Sequence, residues 1–231
     1  MKIGIIGAME EEVVTLKGAL ENSSTEMIAG AEFTCGQYVG KEIVLVRCGI
    51  GKVAAAVTAT LLIDHFQVDA LINTGSAGGI GEGLKVGDIV ISERLAYHDA
   101  DVTAFGYAPG QMAQMPLYYE AEKSLIEAAK QAAAETEETV YTGTIVSGDQ
   151  FVNSKERIAE IKTIFPDALA NEMEATAIAQ VAYQFSTPFV VIRAMSDVAD
   201  EEASMSFDEF IQIAGKKSAE MVLKLLQKIE G

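Results

Sequence analysis

The residues most able to carry out chemistry lie in the segment 171–200. From Glu174 onward, apolar residues recur at helical spacing, which places the Glu174 carboxylate on the face that this helix buries. A buried carboxylate needs either a partner or a chemical role. Arg193 lies near the end of the next apolar run, and Ser196 and Asp197 lie just beyond it. Open α/β sheets bind ligands at such strand ends, so we expect these polar groups to meet there.

The elements that position these residues have clear sequence signals. The helix should end before Pro188, because a proline disfavours helical geometry in the residue before it. Residues 189–194 are apolar and rich in β-branched side chains, which predicts a strand covered on both faces. The predicted strand therefore ends before Ser196 and Asp197.

Three consecutive glutamates, residues 10–12, follow a first predicted strand over residues 2–6 and open a predicted helix. Negative charge is favourable at a helix N-terminus, which is sufficient to explain Glu10 and Glu11. Glu12 cannot be assigned from position alone. It follows a strand end, so a site role for one of the three glutamates stays open.

Two glycine-containing segments also follow predicted strands. Residues 48–54 resemble the G-x-G-x-x-A fingerprint of dinucleotide-binding proteins. The acidic residue of that fingerprint should end the next strand, whereas Asp69 precedes the strand 70–74, so a tight turn near a ligand is the favoured interpretation. Residues 75–81 form a predicted turn that either lets a ligand approach main-chain N–H groups or packs closely on the sheet.

An irregular segment, residues 97–116, carries the apolar side chains of Val102, Phe105 and Tyr107. Apolar side chains on a long loop suggest either a lid over a site or a surface that contacts a partner.

Length, composition and charge limit the class of protein. With 231 residues, of which 49% are hydrophobic, the chain can bury one substantial core, and no linker-like stretch divides it. We therefore expect one domain spanning residues 1–231. The net charge of −17 disfavours a nucleic-acid partner, because such binding depends on lysine and arginine displacing counterions.

The cysteines and the apolar runs predict a location. Cys35 and Cys48 match no metal-ligand spacing and are too few for a secreted disulfide framework, which favours reduced thiols in a cytoplasmic protein. The short apolar run of residues 3–6 is typical of a first strand rather than a signal peptide. No run approaches the roughly 20 apolar residues that span a bilayer, so we expect no membrane partner.

Five segments together resemble the bacterial 5′-methylthioadenosine/S-adenosylhomocysteine nucleosidases, within the wider nucleoside phosphorylase family. They are residues 2–12, 73–79, 97–103, 172–177 and 193–200, and the similarity extends over essentially the whole chain. The resemblance implies a three-layer α/β/α domain with a mixed central sheet, in a homodimer. It implies hydrolysis of the N-glycosidic bond of methylthioadenosine, S-adenosylhomocysteine and 5′-deoxyadenosine, in methionine salvage. It implies no metal and no organic cofactor.

The same resemblance implies a role for each acidic residue. Asp197, with Ser196 beside it, would give a proton or hydrogen bond to N7 of the departing adenine. Glu174 would accept a hydrogen bond from the ribose 2′-hydroxyl and stabilise the positive charge that develops on the ribose. Glu12 would be the general base that activates the attacking water.

The remaining implied contacts belong to the adenine, the ribose edge and the 5′-thioether. Phe151 would stack on the adenine, the main chain of Val152 would read its Watson–Crick edge, and Gly78 would leave room nearby. The other implied positions are Ser76 and Arg193 beside the water and ribose, Glu172 and Met173 beside Glu174, Met9, Ile50 and Phe207 along the thioether, and Val102, Phe105 and Tyr107 from the second subunit.

Two other activities stay open. A purine nucleoside phosphorylase would share the fold and the base recognition, but its phosphate nucleophile needs arginines around a dianion. The arginines here are Arg47, Arg94, Arg157 and Arg193, and the glutamates at residues 10–12 would repel phosphate, so hydrolysis is favoured. A non-catalytic nucleoside-binding protein is the other alternative, but binding alone does not require both an acid and a water-activating base.

Overall fold

The computed structural model describes residues 1–198 and 207–229. Within these ranges, the chain forms ten strands and six helices. They are β1 (Lys2–Gly7), α1 (Glu10–Ala19), β2 (Glu21–Ile28), β3 (Ala31–Tyr38), β4 (Lys41–Arg47), α2 (Lys52–Asp64), β5 (Ala70–Gly79), β6 (Ile89–Tyr97), β7 (Tyr119–Glu120), α3 (Lys123–Ala133), β8 (Val140–Ser147), α4 (Lys155–Ile164), β9 (Ala168–Glu172), α5 (Ala175–Phe185), β10 (Phe189–Val198) and α6 (Phe207–Lys228), with a short 3-10 helix at Thr103–Phe105.

The strands form one mixed sheet, as the sequence predicts. β1 lies between β4 and β5 and is parallel to both, and β5 is in turn parallel to β10. β6 runs antiparallel to β10, and β9 runs antiparallel to β5. The pairings β5–β10–β6–β8–β9–β5 close on themselves, so the ends of β5, β9 and β10 meet. Gly78 is the shared position, paired with Asn171 of β9 and with Asp197 of β10.

The central strands are buried on both faces, which fits their continuous apolar sequences. Ile3 and Ile6 of β1 and Val190 to Ile192 of β10 have no exposed surface. Helices α1 and α3 both pack against α6, and α2 packs against α5, so two groups of helices cover the sheet. None of the helices in the described ranges is long and apolar enough to cross a membrane.

Two strands are longer than the sequence predicts, and both differences concern the site. β10 continues through Ser196 and Asp197 to Val198, with a bulge between Met195 and Asp197, so the expectation that it ends before Ser196 was wrong. β5 continues through the glycines as far as Gly79, where a turn was expected from residue 75. The cause is mutual pairing, because each strand supplies the hydrogen-bonding partner that allows the other to continue.

The strand β2 is absent from the prediction because its sequence carries no apolar alternation. Seven of its eight residues are exposed, and among the described residues it pairs with β3 alone, which places it at the edge of the sheet. The apolar spacing of the helix before Pro188 places Phe185 on its buried face, but this side chain is 46% exposed.

Candidate active site

Glu12 is a buried carboxylate, 1% exposed, in the first turn of α1. Its side chain folds back over the strand–helix junction, where Oε2 accepts hydrogen bonds from the N–H groups of Ala8 at 2.7 Å and Met9 at 3.2 Å. Its Oε1 accepts from Ser76 twice, from the main-chain N–H at 3.0 Å and from the hydroxyl at 3.2 Å. Four donors thus converge on one carboxylate and fix the positions of both its oxygens.

Glu174 lies directly before α5 and is 4% exposed. Its Oε1 accepts the main-chain N–H of Gly51 at 2.9 Å, and its Oε2 lies 3.6 Å from Nη2 of Arg193. Burial raises the pKa of Glu174 and the nearby Glu172 carboxylate adds to this, while Arg193 and the Gly51 N–H act in the opposite direction. On balance, the surroundings of Glu174 therefore disfavour its ionised form.

Arg193 connects Glu172 and Glu174 to β5, and its side chain is 1% exposed. Its Nη2 donates to Oδ1 of Asn73 at 2.7 Å and to Oε2 of Glu172 at 2.5 Å, and its Nη1 donates to the carbonyl of Ser76 at 3.0 Å. Burial alone would lower the pKa of Arg193, but the surrounding carboxylates, Glu172 first, raise it overall. Arg193 therefore stays charged and fixed in position.

Glu172, predicted as a substrate-binding residue, is engaged by protein groups on both oxygens. Its Oε2 accepts the N–H groups of Glu174 at 2.9 Å and Ala175 at 2.8 Å, in addition to Arg193, and its Oε1 accepts the hydroxyl of Ser147. A carboxylate is favourable at the N-terminus of α5, where it satisfies free N–H groups. Glu172 thus fixes the start of α5, directly after Glu174.

Asp197 lies at the junction of β10 and β5. Its Oδ2 accepts the Ser196 hydroxyl at 2.9 Å, and a Cβ atom built on Gly78 would lie 3.1 Å from its Oδ1 and 2.9 Å from Nδ2 of Asn171. Any side chain at residue 78 would therefore occupy the space in front of the acid. Burial raises the pKa of Asp197, and the hydrogen bond from Ser196 offsets part of the rise.

A cavity of about 550 Å³ joins all four acidic groups, Glu12, Glu172, Glu174 and Asp197. This volume is typical of sites for small molecules. Its walls include thirteen of the predicted site residues: Met9, Glu12, Ile50, Ser76, Gly78, Phe151, Val152, Glu172, Met173, Glu174, Arg193, Ser196 and Asp197. The cavity is therefore able to hold a group between an acid and a base.

Known proteins are similar to this chain in sequence and in fold. The sequence model of the phosphorylase superfamily matches residues 2–227. The 5′-methylthioadenosine/S-adenosylhomocysteine nucleosidase of Neisseria meningitidis, solved with methylthio-immucillin-A, is 50% identical, with 99% of each chain covered and a TM-score of 0.96. The chain belongs to the phosphorylase superfamily, among its 5′-methylthioadenosine/S-adenosylhomocysteine nucleosidases.

Two further nucleosidases of this family are similar over their full length. The nucleosidase of S. pneumoniae, solved with a transition-state inhibitor, is 50% identical, with 100% of each chain covered and a TM-score of 0.95. An aspartate-to-asparagine mutant of the Helicobacter pylori nucleosidase, with 5′-methylthioadenosine in its active site, is 36% identical, with 99% of each chain covered and a TM-score of 0.93.

The glycine turn before α2 contacts the candidate site through Glu174. Gly51 has a φ of +97°, a conformation that favours glycine, and directs its N–H to Glu174. The acidic residue of the fingerprint does not reach the site, because Asp69 accepts the main-chain N–H of Lys2 at the start of β5. The dinucleotide interpretation therefore has no support in the geometry.

Three predicted residues, Val102, Phe105 and Tyr107, lie outside the cavity walls of this single chain. Phe105 is 82% exposed in the 3-10 helix, and Val102 and Tyr107 are half-buried beside it. These three were expected to act on the site of a second subunit. The side chain of Phe207 lies outside what the structure describes.

Several cavity residues were missed by sequence reasoning. Ala8, Ala77, Gln150 and Asn171 also line the cavity, and Asn171 donates to the carbonyl of Gly78 at 3.1 Å. Their signal is weak because each is adjacent in sequence to a residue with more evident chemistry. Asn73, which holds Arg193, could have been noticed as a polar residue inside an apolar strand.

Proposed function

We propose that this chain is an N-glycosyl hydrolase that cleaves 5′-methylthioadenosine and S-adenosylhomocysteine. The products are adenine and either methylthioribose or S-ribosylhomocysteine, which fits a role in methionine salvage. The observation that carries the proposal is the cavity onto which Glu12, Glu174 and Asp197 all open, in a chain 50% identical to nucleosidases of this specificity. The roles below also apply to 5′-deoxyadenosine, which contains the same base and ribose.

Asp197 acts on the leaving adenine. Cleavage of the glycosidic bond leaves negative charge on the base, and an acid that protonates N7 relieves it. The raised pKa of Asp197 keeps its proton available at a higher pH than an exposed aspartate would allow. The Ser196 hydroxyl donates to Oδ2, which leaves Oδ1, the oxygen facing Gly78, to carry the proton to the base.

Glu174 acts on the ribose. As the base leaves, the ribose becomes cationic, and this cation favours the ionised form of Glu174, which burial disfavours in the free protein. The interaction is therefore stronger in the transition state than with the neutral substrate, which is the condition for catalysis. Its hydrogen bond from Gly51 holds Oε1, so the ribose 2′-hydroxyl meets Oε2.

Glu12 activates the water that attacks the ribose. Three of its four donors are rigid main-chain N–H groups, whereas the Ser76 hydroxyl can rotate. A water that replaces this hydroxyl meets a carboxylate that the three N–H groups hold in a fixed position. Arg193 contributes by holding the carbonyl of Ser76, and with it the strand that positions the water.

Adenine recognition falls to the segment after β8. Phe151 is 61% exposed at the cavity wall, where its ring can stack on a base, and the adjacent Val152 also lines the cavity. Met9, Ile50 and Met173 supply apolar surface for the thioether and the ribose. The cytoplasm suits these substrates and the two free cysteines, Cys35 and Cys48.

Charge in the cavity argues against phosphorolysis. Of the described residues that line it, Arg193 alone is cationic, and its guanidinium is already bound to Asn73, Glu172 and Ser76. Four carboxylates share the same walls. A phosphate dianion would face repulsion without a free cation to hold it.

Adenine release should therefore be independent of phosphate. We expect the purified protein to release adenine and methylthioribose from methylthioadenosine in phosphate-free buffer, with an unchanged rate after phosphate is added at millimolar concentration. Chromatography of both products checks this, with a buffer of matched ionic strength as the control. Release that requires phosphate and yields a sugar 1-phosphate would make the chain a phosphorylase.

We propose further that the active form is a homodimer in which Phe105, Val102 and Tyr107 extend over the partner's thioether pocket. The support is the exposure of an apolar group on an ordered segment, because Asp101 fixes the start of the 3-10 helix by accepting the N–H and hydroxyl of Thr103. Together with the half-buried Val102 and Tyr107, the Phe105 ring gives the segment several apolar groups with exposed surface, which fit a contact surface.

Phe105→Ala should weaken substrate binding more than turnover. We expect KM for methylthioadenosine to rise about tenfold, with kcat within about threefold, because burying a phenylalanine is worth about 1.5–3 kcal/mol. Steady-state kinetics and sedimentation check the two parts of this proposal. Phe185→Ala removes another exposed phenylalanine, at the end of α5, and serves as the matched control. A monomeric wild-type protein with full activity would refute the shared pocket.

A further inference from the structure

Helix α6 touches the start of α1 at Gly215, beside the proposed base. A Cβ atom built on Gly215 would lie 2.6 Å from the carbonyl oxygen of Glu11, 3.0 Å from its carbonyl carbon and 3.3 Å from the nitrogen of Glu12. The first of these distances is far below van der Waals contact, so only a hydrogen atom fits between the two helices. Gly215 thus sets how closely the main chain of Glu11 and Glu12 approaches α6.

Ser218 lies three residues further along α6, on the same face as Gly215, and is fully buried. Its hydroxyl donates to the carbonyl of Ile192 at 3.0 Å, accepts the N–H of Gly75 at 3.1 Å and shares a hydrogen bond with the Thr74 hydroxyl at 2.7 Å. One side chain of α6 therefore fixes both β5 and β10.

Ser218 contacts Gly75 and Ile192, and the residue after each of them lies close to Glu12. Gly75 precedes Ser76, which donates twice to the Glu12 carboxylate, and Ile192 precedes Arg193, which holds the Ser76 carbonyl. The same face of α6 thus braces the main chain of Glu12 through Gly215 and the donors to its carboxylate through Ser218.

We propose that Gly215 and Ser218 are positioning residues for the general base, an inference that rests on the proposed role of Glu12. Neither residue lines the cavity, so neither contacts the substrate in this arrangement. Their effect is on the step in which water is activated, because a small displacement of a catalytic group lowers its effectiveness steeply. Substrate affinity depends on other walls of the cavity and stays intact.

Gly215→Ala is the decisive variant, and Gly18→Ala is its matched control. Both change a helical glycine to alanine, but a Cβ atom on Gly18, in α1, would meet nothing within 4 Å. We expect Gly215→Ala to lower kcat for methylthioadenosine hydrolysis by about 10- to 100-fold with KM within about twofold of wild type. Gly18→Ala should keep the wild-type values, and circular dichroism checks that both variants fold.

Ser218→Ala provides a second test in case Gly215→Ala does not fold. Its control is Thr58→Val, which removes a buried helical hydroxyl that donates only within its own helix. We expect Ser218→Ala to lower kcat by about tenfold at unchanged KM, and Thr58→Val to leave both constants unchanged.

The pattern of the constants decides the outcome. Wild-type kcat in both α6 variants would overturn the inference, and so would a rise in KM that matches the fall in kcat, because that indicates a generally loosened pocket. If the wild type itself releases no adenine without phosphate, the proposed function fails and the inference fails with it. Hydrolysis by the wild type together with unaffected α6 variants overturns the inference alone.

Discussion

Asp197→Asn is expected to lower kcat for adenine release by about 10³-fold while methylthioadenosine still binds. The substitution keeps the shape of the side chain and can still accept the Ser196 hydroxyl at 2.9 Å, so the pocket should not rearrange. An amide cannot transfer a proton to N7, and the base must then leave as an anion. Single-turnover adenine release measures the loss, and calorimetry with methylthioadenosine measures the retained affinity.

Asp64→Asn is the matched control, because it makes the same change at an exposed position at the end of α2. Its kinetic constants should equal those of the wild type. Unchanged turnover in Asp197→Asn would remove Asp197 from the role of acid. Loss of both turnover and binding would mean that the carboxylate serves mainly to hold the adenine.

The residues around Arg193 illustrate what the sequence predicts and where prediction stops. The apolar run of β10 indicates a buried strand, and a ligand at its carboxyl end follows from general rules for α/β sheets. The strand continues beyond that run because β5 pairs with it up to Gly79. Such pairing depends on residues about 120 positions apart, which local patterns of hydrophobicity do not encode.

The three consecutive glutamates show the same division for the site. Sequence position explains Glu10 and Glu11 as favourable charge in the first turn of a helix, but it leaves the role of Glu12 open. Folding separates them: Glu10 is exposed and pairs with Arg47 at 3.0 Å, whereas Glu12 is buried and meets Ser76 from β5. The family resemblance assigns the role of base to Glu12, because a resemblance carries information about long-range contacts that local patterns lack.

Glu12→Gln is expected to lower kcat by about 10²- to 10⁴-fold, the usual contribution of a general base. A glutamine cannot take a proton from water, and its NH₂ group would face one of the N–H donors that now converge on the two oxygens. Methylthioadenosine should still bind, since adenine and ribose contact other walls. Glu11→Gln, in the same helical turn, should retain wild-type activity.

Azide separates the loss of a base from a distortion of the site. Azide is a nucleophile that needs no deprotonation, so it can attack the ribose as adenine leaves with its proton from Asp197. We expect added azide to accelerate adenine release by Glu12→Gln and to give a ribosyl azide, but not to accelerate Asp197→Asn. If azide fails with Glu12→Gln, the lost activity comes from the displaced N–H groups of Ala8 and Ser76, and Glu12 is a positioning residue. In that case the role of Glu12 would be to hold the main-chain N–H groups before α1 and in β5 in place where these two elements meet.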